Sequence, residues 1–387
     1  MDLAYTPEQQ AFRAEVREWM AANVPVGALV TLEREDGYRQ HVAWERRLAS
    51  GNWGMVTWPE AYGGRGLDLI QWLIFEEEYW RAGAPNRANQ NGIFLLGPTI
   101  MEFGTDEQKA RFLTPMAKGE VIWAQAWSEP GAGSDMAAIA SRAVRDGDHY
   151  VLTGQKTWSS RAAYADWGFG LFRTEEGSKR HKGLSFLLFD LNAPGITRRP
   201  IRQLHGDTGF AELFFDEVRV PVANRISGEG EGWNVAMATA GFERGLMLRS
   251  PARFQATAAR LVELCRAQGS RVSPGAREAV SAAWKGAQAY AYNTYMVASR
   301  IIAGGHIGAE ASLNKIFWSE LDRAMHRTAM QILGAAAELR HFADGEVNAW
   351  LEGYIFSLSG PIYAGSNEIQ RNIIAERLLG LPRQGAG

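Results

Sequence analysis

At 387 residues with 46% hydrophobic side chains, the chain is long enough for two or three structural units, or one large composite fold, around a substantial core. Its 41 basic and 43 acidic residues leave a net charge of −2, which excludes the basic excess that drives nonspecific nucleic-acid binding. The single cysteine, Cys265, excludes an intramolecular disulfide or a thiolate metal cluster and fits a reducing compartment, so the cytoplasm is the expected location.

The chain order begins with helices. Thr6-Pro7-Glu8-Gln9 has the order of a capping box with proline at the first helical position, and Phe12, Val16, Trp19 and Met20 follow at helical spacing. This start lacks a basic region followed by an apolar one, and no apolar run reaches the ~18 residues of a membrane span. Residues 59–66 break the periodicity before 69–75 open another helix. From about 119 to 228 the pattern changes to short β-like runs, such as 149–152, 184–191 and 213–220, set between Gly, Pro and Asp turns. Ala-, Leu- and Arg-rich helical segments then return at 254–268, 276–302, 312–333 and 369–379. Helices, then strands, then helices predict an α+β fold with segregated elements, because no strand–helix alternation calls for a parallel doubly wound sheet.

Two stretches carry chemistry. Residues 127–135 read Trp-Ser-Glu-Pro-Gly-Ala-Gly-Ser-Asp. Here Gly131, Gly133 and Ser134 let backbone N–H groups and a short hydroxyl approach a phosphate or a flavin edge, since glycine has no Cβ to hold a ligand away. Taken alone, such a loop is equally an ordinary turn. Residues 154–160 read Gly-Gln-Lys-Thr-Trp-Ser-Ser, in which Trp158 is either a core residue or a stacking platform. No His-Glu-x-x-His or paired-cysteine motif suggests a metal, His205 and His306 receive no role, and Asp135 reads as a loop or cap residue.

These stretches, together with 58–64 (Trp-Pro-Glu-Ala-Tyr-Gly-Gly), 331–335 (Gln-Ile-Leu-Gly-Ala) and 362–377, resemble the motifs of the acyl-CoA dehydrogenase family in the right order across nearly the whole chain. The resemblance implies an N-terminal α-helical domain (1–118), a middle β-barrel domain (119–228) and a C-terminal four-helix bundle (229–387). It also implies FAD at a subunit interface of a homodimer or homotetramer, with a heterotetramer as the variant assembly, and an electron-transfer flavoprotein as acceptor. By the same resemblance Gln125, Trp127, Ser128, Gly133 and Ser134 line the flavin, Trp158 lies against the isoalloxazine, and Ser159 and Ser160 lie at its edge. Gln331 and Gly334 match the segment by which a neighbouring subunit touches the FAD adenylate, although the family's second glycine is Ala335 here. Ser366 and Glu368 match positions contacting FAD from the other end. The neighbour's Arg and Phe have no clear counterpart in 271–277.

Many members carry the catalytic base as Glu in Tyr-Glu-Gly-Thr, where this chain has Tyr363-Ala364-Gly365-Ser366. Removing a proton α to a thioester carbonyl needs a carboxylate within reach in a dry pocket, and Ala364 supplies none. A subset resembling isovaleryl-CoA dehydrogenase carries the base in an earlier Glu-Arg dipeptide, which Glu243-Arg244 matches. The ordinary alternative for such a dipeptide is a solvated pair on a helix face. The resemblance implies that Glu243 takes the pro-R α-proton while a β-hydride passes to flavin N5, giving a trans-2-enoyl-CoA. Ser134, Arg244, Ala364 and Gly365 fall at the substrate, with the backbone N–H of residue 364 on the thioester carbonyl. Relocating the base and leaving alanine at 364 favours a branched, cyclic or steroid-like acyl group. An FAD-sharing subunit of a heteromeric enzyme and a flavin-dependent oxygenase or oxidase on the same fold are the rival readings.

Overall fold

A computed structural model describes residues 4–244, 246–342 and 347–382, except for the side chain of Arg244. In the N-terminal region the helices are α1 (Pro7–Asn23), α2 (Glu35–Ser50), α3 (Leu69–Arg81), α4 (Gly97–Phe103) and α5 (Asp106–Ala117). The expected capping box is present: Gln9 N–H donates to Thr6 Oγ1 at 3.2 Å and Thr6 N–H to Gln9 Oε1 at 3.0 Å. Phe12, Val16 and Met20 form the buried stripe of α1. Two further boxes, Asp68 with Gln71 and Thr105 with Gln108, start α3 and α5. The expected break at 59–66 holds a 3₁₀ turn, Glu60–Tyr62.

Eight strands follow: β1 (Trp123–Ala126), β2 (Arg142–Asp146), β3 (His149–Ser160), β4 (Trp167–Arg173), β5 (Leu184–Asp190), β6 (Ile196–Ile201), β7 (Phe210–Pro221) and β8 (Arg225–Ile226). They form one mixed sheet in the order β6-β7-β3-β1-β4-β5-β8, with β2 pairing both β3 and β4. The strands β3, β1, β4 and β2 therefore close a ring, which makes the sheet barrel-like. The β3–β7 ladder shifts register twice, with an extra residue on β7 opposite Leu152–Gly154 and one on β3 between Lys156 and Ser159, and such bulges bend a strand pair. The first half of β3 pairs with β2 and its last residue, Ser160, with Gln125 of β1. Inside, Phe172, Phe189 and Phe215 meet edge to face at centroid distances of 5.9, 5.2 and 5.2 Å.

After the sheet come α6 (Gly232–Arg244), α7 (Pro251–Gln268), α8 (Pro274–Ile302), α9 (Ala311–Leu333), α10 (Ala349–Ser357) and α11 (Asn367–Ile373). Ser250 and Ser273 cap α7 and α8, each followed by proline in the first turn. The segment expected as a helix at 369–379 is α11 continued by a π-helical turn, Ile374–Leu378.

The chain forms two compact units. One contains α2, α4, α5, the sheet and α6 through Glu243. The other joins α1 and α3 to α7–α11. Polar contacts join these helices: Tyr295 of α8 donates to Glu77 of α3 at 2.6 Å, and Arg13 of α1 pairs with Glu77 at 2.6 Å and Glu78 at 3.2 Å. Its apolar core is Phe254, Tyr290, Trp318, Met325 and Trp350 from α7–α10.

Candidate active site

In the sheet unit, alternation along β1 buries Ala124 and Ala126 and leaves Gln125 half-buried, with Trp127 and Ser128 half-buried just beyond its end. Glu129 and Ala132 exchange two backbone hydrogen bonds of 3.0 Å, closing a turn that carries Gly131 outward, and Gly133 and Ser134 follow exposed. A Cβ built on Gly131 or Gly133 meets nothing within 4 Å, and neither residue has a positive φ. Neither packing nor backbone conformation thus requires glycine there, which is what an approaching ligand would need.

Thr157 N–H donates to Ser128 O at 2.9 Å, tying that loop to β3. At the bulge of β3 between Lys156 and Ser159, Trp158 has φ +55 and is 60% exposed, with its ring edge against Phe210 at 6.3 Å. A left-handed backbone costs a bulky residue roughly 1–2 kcal/mol. The strain turns an indole outward, so the core reading of Trp158 does not hold. Ser160 is half-buried beside Gln125, whereas the side chain of Ser159 is buried, and its Oγ has no hydrogen-bond partner among the described residues.

Sequence reasoning missed the pair that fixes this arrangement. Lys156 is 0% exposed and donates to Glu129 Oε1 at 2.8 Å and Leu171 O at 2.7 Å. The Glu129 carboxylate also accepts the N–H groups of Ala140 (2.7 Å) and Ser141 (3.0 Å). Burial pulls the Lys156 ammonium down to about 8, with Glu129 opposing that fall. Burial pushes the Glu129 carboxyl up, but the charge and hydrogen bond of Lys156 outweigh it and hold the group below its ordinary range. The signal was available: Lys156 has the strand parity of the buried Tyr150 and Leu152.

On α6, Thr239 is held to α4 by its hydroxyl contact with Thr99 Oγ1 at 2.8 Å. Glu243 falls three, four and seven residues after Ala240, Thr239 and Ala236, all buried, so it continues the inward stripe of the helix and is itself half-buried. That placement differs from a solvated helix face. The Arg244 side chain lies outside the described residues.

The helical unit holds the remaining candidates. Gln331 is exposed in the last turn of α9, and Gly334 ends that helix at φ +56, ψ −130, a conformation reserved for glycine. Ala364 and Gly365 are consecutive left-handed residues at φ +57 and +76, and Gln370 Nε2 donates to both their carbonyls, at 3.2 and 3.1 Å. Ser366 caps α11 by accepting from Ile369 N–H. Glu368 is exposed in the first turn, where the backbone and Ser366 hold its carboxyl below the ordinary value.

The chain matches three family models: acyl-CoA dehydrogenase N-terminal domain over residues 6–120, middle domain over 124–218 and C-terminal domain over 230–379. The chain belongs to the acyl-CoA dehydrogenase family, a family of flavoprotein oxidoreductases in lipid metabolism. It is 41% identical over 386 residues to the acyl-CoA dehydrogenase IpdE1 of Mycobacterium tuberculosis, covering 98% of this chain and 99% of the relative. Among solved structures it is similar to the ChsE4–ChsE5 complex of M. tuberculosis, with TM-score 0.83, 33% identity and coverage of 99% and 100%. It is also similar to the steroid ACAD Tcur3481–Tcur3483, with TM-score 0.86, 28% identity and coverage of 99% and 100%.

The residues present fit a flavin. An outward indole on a strained backbone and open space above Gly131 and Gly133 are what a flat ligand needs. No helix of the described residues is long and apolar enough to cross a membrane.

Proposed function

We propose that this enzyme carries out the FAD-dependent α,β-dehydrogenation of an acyl-CoA thioester to a trans-2-enoyl-CoA, with Glu243 as the base. The observation that carries the reading is the half-buried Glu243 on the inward stripe of α6, in a chain that has alanine at 364. Gln125, Trp127, Ser128, Gly133, Ser134, Trp158, Ser159 and Ser160 would hold FAD, with Gln331, Gly334, Ser366 and Glu368 as further contacts. When bound, FAD supplies the acceptor for the β-hydride. Glu243 takes the α-proton onto its carboxylate. The backbone N–H of Ala364 donates to the thioester carbonyl and stabilises the developing enolate without any side chain. An electron-transfer flavoprotein would then accept the electrons.

For substrate, a branched, cyclic or steroid-like acyl group is the preferred class. The alanine at 364 leaves room there, and one similar structure is a steroid ACAD. Anaerobic visible spectroscopy with a panel of straight, branched and ring-bearing acyl-CoAs tests this. Bleaching by a ring-bearing thioester is the expected result, and equal or faster bleaching by straight C4–C8 chains removes the preference. A second reading, a subunit that shares its FAD site with a different chain, is favoured by the likeness to the ChsE4–ChsE5 and Tcur3481–Tcur3483 complexes. Colourless protein when the chain is purified alone would select it.

A further inference from the structure

The left-handed pair Ala364–Gly365 is a costly turn, because an alanine at φ +57 is strained by roughly 1–2 kcal/mol and persists only when its surroundings over-determine it. Gln370, 0% exposed, takes both carbonyl oxygens of the pair and so fixes the two peptide planes that follow Ala364, from which the left-handed φ of +57 sets the direction of its own N–H. Asn367, two residues after the pair, is 1% exposed and gripped at both ends of its amide. Its Oδ1 accepts from Lys315 Nζ at 2.9 Å and Ser319 Oγ at 3.2 Å, and its Nδ2 donates to Glu320 Oε1 at 2.9 Å. Asn367 N–H also donates to Pro361 O at 2.8 Å, so the turn is bracketed from both sides by the same residue.

Lys315 is the unexpected member. It projects from the first turns of α9 and is 1% exposed. Burying an ammonium costs several kcal/mol, and here its charge is directed at an asparagine amide that leads into the turn. A charge-assisted bond is shorter and roughly twice as strong as a neutral one, and it is directional.

We infer that Lys315 is a positioning residue for the reaction: acting through Asn367, it holds the Ala364–Gly365 turn so that the Ala364 N–H is pre-aimed at the thioester carbonyl. This rests on the proposed thioester chemistry. Lys315 touches no reacting atom, and its effect on rate passes wholly through the backbone donor.

The test uses the FAD-loaded enzyme and expresses every rate per bound flavin. Lys315→Met should lower kcat on the order of tenfold to a hundredfold with little change in KM. It should slow, by a similar factor, the exchange of α-protons into deuterated water for an acyl-CoA that lacks β-hydrogens. That exchange needs the base and the polarised carbonyl but no hydride transfer, so it reads the donor apart from the redox step once circular dichroism and flavin content show the variant folded and loaded. Lys315→Arg, which keeps the charge, should recover part of both. If Lys315→Met does not fold, Asn367→Asp replaces it: it keeps a partner for Lys315 but sets a carboxylate against Glu320, and the same two losses are expected. Unchanged kcat and unchanged exchange in the folded variant overturn the inference while wild-type turnover leaves the parent reading standing. A wild-type enzyme that bleaches with no thioester overturns both.

Discussion

Trp158 combines a left-handed backbone with an indole that is 60% exposed, and neither feature serves the core. Trp158→Ala should leave the unfolding midpoint of the FAD-free protein nearly unchanged. It should weaken FAD by about 0.5–1.5 kcal/mol, a few-fold to roughly tenfold in Kd, read by fluorescence titration. Glu243→Gln keeps the shape of the side chain and removes the basic oxygen. It should retain FAD and lose on the order of 10²–10⁴-fold in kcat; normal turnover would place the base elsewhere. At this scale the flavin motifs were legible because they are runs of Gly, Ser and Trp whose meaning is local. The outward turn of Trp158 was not, since it depends on a bulge whose position the neighbouring strand sets.

Strand β3 and the loop after β1 act as one element because Lys156 and Glu129 join them. Lys156→Met leaves a buried carboxylate without its cation and should cost about 3–5 kcal/mol in urea unfolding. Adding Glu129→Gln should restore much of that loss, since the remaining N–H donors suit a neutral amide oxygen. A double variant as unstable as the single one would show that the pair is not what ties the elements. Acid sensitivity follows from two carboxylates held below their ordinary values. Burial raises both, but Lys156 outweighs it at Glu129, and His326 with Arg253 outweighs it at Asp322 in α9. In the window below the ordinary carboxylate pKa the unfolded chain binds more protons than the folded one. The stabilisation is therefore complete above about pH 4.5 and is lost as pH falls through the depressed native values. Glu129→Gln and Asp322→Asn should each flatten the acid limb of a stability-versus-pH curve; an unaltered limb would show that other groups govern acid unfolding. The helices were legible from their caps and stripes, whereas β3 was seen only at 149–152 because the polar run 153–157 hides its alternation and the bulge at Trp158 then breaks it.

Across the whole molecule, the helices at the start of the chain divide between two units: α1 and α3 join α7–α11, while α2, α4 and α5 join the sheet. The candidate residues divide too, with Gln125–Ser160 and Glu243 in one unit and Gln331–Glu368 in the other. Severing the Arg13–Glu77–Tyr295 joint should therefore weaken the helical unit without touching the barrel. Glu77→Ala is expected to lower the unfolding midpoint measured by far-ultraviolet circular dichroism and to leave the fluorescence of the barrel tryptophans native-like until a later transition. A single coincident transition at the wild-type midpoint would contradict this.

The sequence by itself determined the class of fold, the family and the absence of a carboxylate at 364, because each is written in residue type and short-range spacing. Only the tertiary structure decided that the sheet closes through β2, that α1 packs with C-terminal helices, that Lys156 and Lys315 are buried cations, and that Glu243 follows the inward stripe of α6. The reason is sequence separation. Periodicity reports which face of an element is apolar, but not what that face meets. The contacts that settle the matter join residues 27, 52 and 218 positions apart: Glu129 with Lys156, Lys315 with Asn367, and Glu77 with Tyr295.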